Sequence, residues 1–408
     1  MTVDEQDFYS FESHEEVEEH IKSNNHEGLM RAFTRSIDET HSGKIVHGGI
    51  HTPAIHTPKH WYKRKLTNWL HEHLLPENVK LAVEKRFGNF VIIRETGEYE
   101  YEAMPLYTRI GMHLLFTGHY RQKAVETDAM HKLFLYETNR QGTYFTDPKS
   151  VSQIPSFVEH YNIELDEFVV SDVNEYTNFN EFFSRAIRPE LRPIAYQENP
   201  DILVSAADCR LNVFQSIDDA TKFWQANRKH VNIYLTYFRI KGKEFTVANL
   251  LKDEGLAEEL QGGSLAIFRL APQDYHRWHA PAGGVLESIQ NIDGTYYTVN
   301  PCLVREDVNV FTENHRQILT MRNHKGSRFT IVAIGALLVG SIVLTNADEP
   351  GKELKKGEEM GYFQYGGSTV IAVFPKDTVI WDADLLQNSE KSLETKVVVG
   401  EKIGTFIN

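Results

Sequence analysis

Cysteine is nearly absent: among 408 residues only Cys209 and Cys302 carry thiols. Two thiols cannot build a disulfide framework, and such sparse usage fits a reducing compartment. Basic charge is also in short supply. The formal net charge of −14 argues against a nucleic-acid binder and against broad adhesion to an anionic membrane. Long apolar runs are missing too. The longest, IVAIGALLVGSIVLT at 331–345, has fifteen residues and two glycines, short of the roughly 20 that a spanning helix needs. It reads as two buried strands meeting at a bend. The opening MTVDEQD lacks the basic start and apolar core of a secretory signal, the arginines of a transit peptide, and the second-position glycine of a myristoylation site. The expectation is a cytoplasmic chain without a transmembrane helix, touching membranes only peripherally.

What is present divides the chain. The length favours two or three domains, and 41% hydrophobic with 25% charged residues suffices for a full core. Residues 1–140 read as an acidic, helical, membrane-peripheral region, and 141–408 as a catalytic domain. Within the first region, 41–60 carries five histidines among Gly, Thr and Pro. Their spacing matches no ligand pattern, so no metal is expected. A helical pattern follows over 61–90. The stretch MPLYTRIGMHLLFTG (104–118) is an apolar helix candidate whose Arg109 and His113 lie one turn apart. It either packs on the catalytic domain or lies in a lipid interface. A further helix should start at Asn178, with Glu181 as return acid and Phe182, Phe183 and Ile187 as its face, and end before Pro189.

From Ile202 onward alternation and turn residues dominate, the mark of strands. One internal echo appears there: GEEMGYF at 357–363 and GEKIGTF at 400–406 share the frame Gly-Glu-x-apolar-Gly-x-Phe. Each looks like a turn feeding a strand. The fold class is therefore α+β: a helical N-terminal region followed by a mostly antiparallel β barrel or sandwich.

Three stretches of this half hold polar residues that a β core would not favour: VSAADCR with Asp208, FRLAPQDYHRWHAPAGG with His276 and His279, and GYFQYGGSTV with Ser368. A carboxylate, an imidazole and a hydroxyl are the parts of an activated nucleophile. The glycines Gly366 and Gly367 mark a bend or a close backbone approach. An α/β-hydrolase elbow is ruled out, since Val370 stands where Gly-x-Ser-x-Gly ends.

The wording of these stretches resembles the phosphatidylserine decarboxylase family. FNEFFSRAIRPELRPI (179–194), SAAD (205–208), RLAPQDYH (269–276), VNP (299–301), VFTENHR (310–316) and FQYGGST (363–369) occur in the family's order. The resemblance implies a proenzyme that cuts itself between Gly367 and Ser368. The products would be a β chain (1–367) and an α chain (368–408) that stay together, with Ser368 becoming a pyruvoyl cofactor. Asp208, His279 and Ser368 map to the self-cleavage triad, and His276 to the histidine of the decarboxylation step. A Schiff base between the pyruvoyl ketone and the substrate amine would then carry loss of carbon dioxide. The implied substrate is phosphatidylserine, converted to phosphatidylethanolamine. The alternative on the same fold is a soluble amino acid such as an aromatic one. Neither reading fixes a homo-oligomer. Cys209 stands where many bacterial members have Gly and is expected to be a buried bystander.

Overall fold

The computed structural model describes residues 89–102, 142–217, 246–294, 310–335, 341–365, 368–391 and 393–407. All of them belong to one compact unit built from 78–102 and 134–408. The acidic start, the histidines of 41–60, the helix candidate at 104–118, VNP, Cys302, Gly366 and Gly367 lie outside the described residues. So does most of the helical pattern at 61–90, whose last two residues instead open a strand.

Sixteen strands are described: β1 Asn89–Ile93, β2 Tyr99–Glu102, β3 Ile202–Val204, β4 Cys209–Phe214, β5 Ser264–Leu270, β6 Arg277–His279, β7 Gly284–Ile292 and β8 Arg316–Arg322. The rest are β9 Arg328–Gly335, β10 Ile342–Leu344, β11 Glu353–Leu354, β12 Glu359–Phe363, β13 Ser368–Phe374, β14 Val379–Trp381, β15 Glu394–Val397 and β16 Lys402–Phe406. Ten form one sheet in the order β11-β7-β8-β9-β13-β5-β4-β15-β1-β2, and two three-stranded sheets run β10-β12-β6 and β14-β16-β3. Pairing is antiparallel except for β1 with β15. The ten-stranded order has two different ends, so the barrel half of the expectation gives way to stacked open sheets.

β13 explains the arrangement. Its sequence STVIAVF is buried at every position, between β9 on one side and β5 on the other. A strand buried on both faces needs an apolar run rather than alternation. Ile371 and Val373 point into a cluster with Leu250 and Leu251 of the short helix α2 (Val247–Leu251), Leu256 of α3 (Glu254–Glu259) and Leu260, which caps α3. Phe374 meets Trp381 of β14 and Phe406 of β16, at 5.7 Å in each case. By the two-residue period of a strand, Ser368 shares the face of Phe374, towards the small sheets. Burying each such large apolar side chain contributes about 1.5–3 kcal/mol.

The run at 331–345 gives two strands as expected, but they join different sheets: β9 lies in the large one and β10 in a small one. The echoed frames are β12 and β16, each preceded by a glycine in the left-handed region, Gly357 at φ 78° and Gly400 at φ 83°. Each pairs with a short strand, β6 or β3, through a register shift at the same place in the frame. A Cβ on either glycine would strike the same side chain, Ile194, at 2.4 and 2.9 Å. The two frames therefore close on a shared apolar plug.

The helix expected at Asn178 is α1, Phe179–Phe183, short by several residues. Asn178 Oδ1 accepts the Glu181 N–H at 2.9 Å, as a cap should. The Glu181 carboxylate returns to Thr177 rather than to the cap residue. Ile187 lies beyond the helix and bridges Phe168 instead.

Candidate active site

Ser368 opens β13 opposite Leu270 and Gly335 and has no exposed surface. Its Oγ lies 3.1 Å from His276 Nδ1. The other ring nitrogen, Nε2, is 3.0 Å from the Ala271 carbonyl. A carbonyl only accepts, so Nε2 carries the hydrogen and the neutral ring leaves Nδ1 to accept from the Ser368 hydroxyl. The turn holding His276 is tied by Asp274, whose carboxylate accepts the Ala271 N–H at 2.7 Å and pairs with buried Arg210. Phe183 of α1 stacks on the His276 ring at 3.9 Å. Burial, and after it the charge of Arg185, push the His276 pKa down to about 3. It is therefore neutral throughout the physiological range and a weak base.

His279 ends β6. Its Nδ1 donates to the Gly357 carbonyl at 3.0 Å, which leaves Nε2 to accept from the Tyr275 hydroxyl at 3.1 Å. The left-handed glycine of the first frame thus presents the carbonyl that orients this ring. Burial lowers the His279 pKa as well, but the fields of Glu359 and Asp208 oppose the shift. Burial also raises the Tyr275 phenol well above its ordinary range.

Asp208 lies between β3 and β4, and its carboxylate is fully engaged. It accepts from Arg192 Nε at 3.1 Å and Nη2 at 2.7 Å, and from the Val399 N–H at 2.7 Å. Among the described residues no hydrogen bond joins Asp208 to His279 or His279 to Ser368. The four residues singled out in the sequence thus fall into two groups, His276 with Ser368 and His279 near Asp208. Gly367 lies outside the described residues. The Cys209 thiol is buried and pushed well up by that burial, which removes its nucleophilic form.

Three residues at the site were not expected there, and Phe183 was expected only as part of a helix face. Arg192 and Phe183 sit in FNEFFSRAIRPELRPI, where nothing in the spacing marks them as partners of Asp208 and His276. Arg185 is buried between the rings of Phe168 and Phe182, 4.2 and 4.7 Å from their centroids. It bonds two carbonyls, those of Phe182 and Gln273, and burial pushes its pKa down to about 10.

Comparison with known proteins gives these residues a family. The family model for phosphatidylserine decarboxylase matches residues 179–405. Phosphatidylserine decarboxylase proenzyme 3 of Schizosaccharomyces pombe is 41% identical over 315 residues, covering 77% of this chain and 31% of its own length. A rice protein, phosphatidylserine decarboxylase proenzyme 2, is 36% identical over 394 residues, covering 92% of this chain and 57% of its own. The proenzyme from Fusobacterium nucleatum is 36% identical over 267 residues, 65% of this chain and 82% of its own length. The chain thus spans about a third to somewhat over half of the eukaryotic relatives it matches and most of the bacterial one. With the matched region covering more than half of the chain, including Asp208, His276, His279 and Ser368, the chain belongs to the phosphatidylserine decarboxylase family.

Proposed function

We propose that residues 141–408 are a self-processing decarboxylase domain that cuts its own chain between Gly367 and Ser368 and then acts on phosphatidylserine. The observation carrying this reading is the buried contact between Ser368 Oγ and His276 Nδ1, at the serine of GGST. A structural serine at a strand start has no need of an imidazole whose tautomer is fixed from behind.

In the cut, Ser368 Oγ adds to the Gly367 carbonyl carbon while its proton passes to an imidazole. The C–N bond breaks, the nitrogen takes a proton back, and the Gly367 acyl group remains as an ester on Oγ. Loss of the Ser368 Cα proton then expels the Gly367 carboxylate, ending the β chain (1–367) and leaving a double bond at residue 368. Tautomerisation and hydrolysis consume one water and release ammonia, giving a pyruvoyl group at the start of the α chain (368–408).

The base is assigned to His279, the histidine that the family resemblance groups with Asp208 and Ser368 for the cut. His276 is the nearer ring, but a pKa of about 3 makes it a poor proton acceptor at neutral pH. His279 keeps the support of the Asp208 field. It must leave the Tyr275 hydroxyl to reach Ser368. His276 is then the group beside residue 368 during turnover, where it holds or returns a proton.

The enclosed position of residue 368, between Leu270 and Gly335 and against His276, suits a small carbonyl group. When present, a pyruvoyl carbonyl supplies an electron sink for carbon dioxide loss from a substrate amine. No described helix is long and apolar enough to cross a membrane, and lipid access is proposed to be peripheral.

Intact-mass analysis with a denaturing gel tests the cut. Wild type should give two fragments and Ser368→Ala one whole chain. His279→Ala should also stay whole, whereas His276→Ala should cut without turning over. Liposomes containing phosphatidylserine test the substrate; activity on free amino acids but not on these liposomes would sink the lipid reading.

A further inference from the structure

Three positions before Ser368, the chain is tied to α1 by its backbone and ring. Tyr365 donates its backbone N–H to Asn180 Oδ1 at 2.8 Å. Asn180 is 4% exposed and sits on α1, where its Nδ2 donates to Thr146 Oγ1 at 3.1 Å. Because that amide nitrogen is committed, the oxygen faces Tyr365 without ambiguity. The Tyr365 ring lies against Phe145 at 4.2 Å, Phe183 at 5.1 Å and Phe179 at 5.2 Å. Phe183 is also the ring stacked on His276. One five-residue helix therefore grips the strand end before GGST and the imidazole facing Ser368.

We propose that Asn180 is a positioning residue for self-cleavage: its Oδ1 anchors the Tyr365 backbone so that the bond before Ser368 is presented to the Ser368 hydroxyl. The inference rests on the self-processing reading above. Its physical basis is proximity: the bond to be cut lies between Tyr365 and Ser368 in the sequence, and holding the chain on both sides of it limits where that bond can lie, the same gain that any intramolecular reaction makes. Ser368 is fixed by β13 in the large sheet. Tyr365 follows the end of β12 at Phe363, and its N–H goes to Asn180 Oδ1 on α1.

The test compares the cutting rate of freshly purified full chain, followed by intact mass, in wild type, Asn180→Ala and Asn180→Asp. Asn180→Ala removes the acceptor and should slow the cut about tenfold, as expected for one buried hydrogen bond in a barrier. Asn180→Asp keeps an oxygen facing Tyr365 and should cut within about threefold of wild type. Hydroxylamine supplies the readout that a merely structural role would not move, because it cleaves an ester and spares an amide. If the anchor acts before ester formation, hydroxylamine leaves Asn180→Ala slow. Thr146→Val, which removes the acceptor that holds the Asn180 amide, is the second variant should Asn180→Ala not fold; it should cut several-fold slower, and a wild-type rate there would overturn the anchor as well.

Asn180→Ala cutting at the wild-type rate, hydroxylamine restoring it, or Asn180→Asp being equally slow would each overturn the anchor. A wild-type chain that stays whole removes the self-processing reading and the anchor with it. Wild type cutting alongside an undisturbed Asn180→Ala removes the anchor alone.

Discussion

The two Gly-Glu frames are built alike and used differently. In each, a left-handed glycine leads into a strand, β12 or β16, that pairs with a short partner through the same register shift. The glycine N–H bonds a carbonyl of the segment after the partner strand, Gly357 to Ala280 at 2.8 Å and Gly400 to Ser205 at 3.2 Å. The third residue of the first frame, Glu359, stands opposite His279; that of the second, Lys402, stands opposite Val204. One copy therefore offers an imidazole and the other a methyl-bearing core residue. The second copy supplies its chemistry from the loop that follows, where Asp208 lies. Scaffold and side-chain chemistry are separable: the frames share a backbone arrangement, and the residues opposite them on the partner strands differ, His279 against Val204.

The largest expected difference between the copies is all-or-none. His279→Ala should leave the chain uncut, while Val204→Ala, its counterpart, should cut normally and lose only core packing. Equal behaviour of the two on a denaturing gel would erase the distinction. The glycines should instead behave alike. Gly357→Ala and Gly400→Ala each force an L-residue to positive φ against Ile194, at a cost of about 2 kcal/mol or more in urea unfolding. Adding Ile194→Ala should relieve the Gly357→Ala loss more than the Gly400→Ala loss, because a Cβ at 400 also meets the Pro193 carbonyl at 2.8 Å; no relief at position 357 would mean that Ile194 is not the plug.

Acid should weaken the domain through the imidazoles. The folded pKa of His276 is depressed to about 3 and that of His279 is also lowered, both first by burial. The unfolded chain then binds more protons below its own histidine pKa of about 6.5, so stability is full above that value and falls as pH drops. Each histidine contributes up to about 1.4 kcal/mol per pH unit in that window. Urea titrations at stepped pH should show the slope, and His276→Asn should flatten it; an unchanged slope would refute the contribution. The smallest effect belongs to Cys209→Ser. Its thiol is buried and protonated, so the variant should cut at the wild-type rate, and a slowed cut on the gel would give the thiol a role.

The strand-rich half, the cap at Asn178 and the repeated frame were legible because each depends on local spacing: period two for a strand, an Asx side chain before a helix, glycine before a strand. The helix end was not. Phe183 is the last residue of α1, and its ring lies against His276 and Tyr365, 93 and 182 residues away in sequence. Arg192 escaped notice for the same reason. An arginine beside a proline reads as a solvated turn until Asp208 is folded onto it.

By itself, then, the sequence determined the family wording, the polar residues set into a β half, and the two glycines before Ser368. Tertiary structure alone decided which histidine meets Ser368, which cation holds Asp208, and that Asn180 takes the Tyr365 amide. The physical reason is reach. Periodicity and capping act over a few residues, whereas a hydrogen bond or a stacked ring joins whatever the sheets bring within about 3 to 5 Å, and no spacing in the chain encodes that meeting.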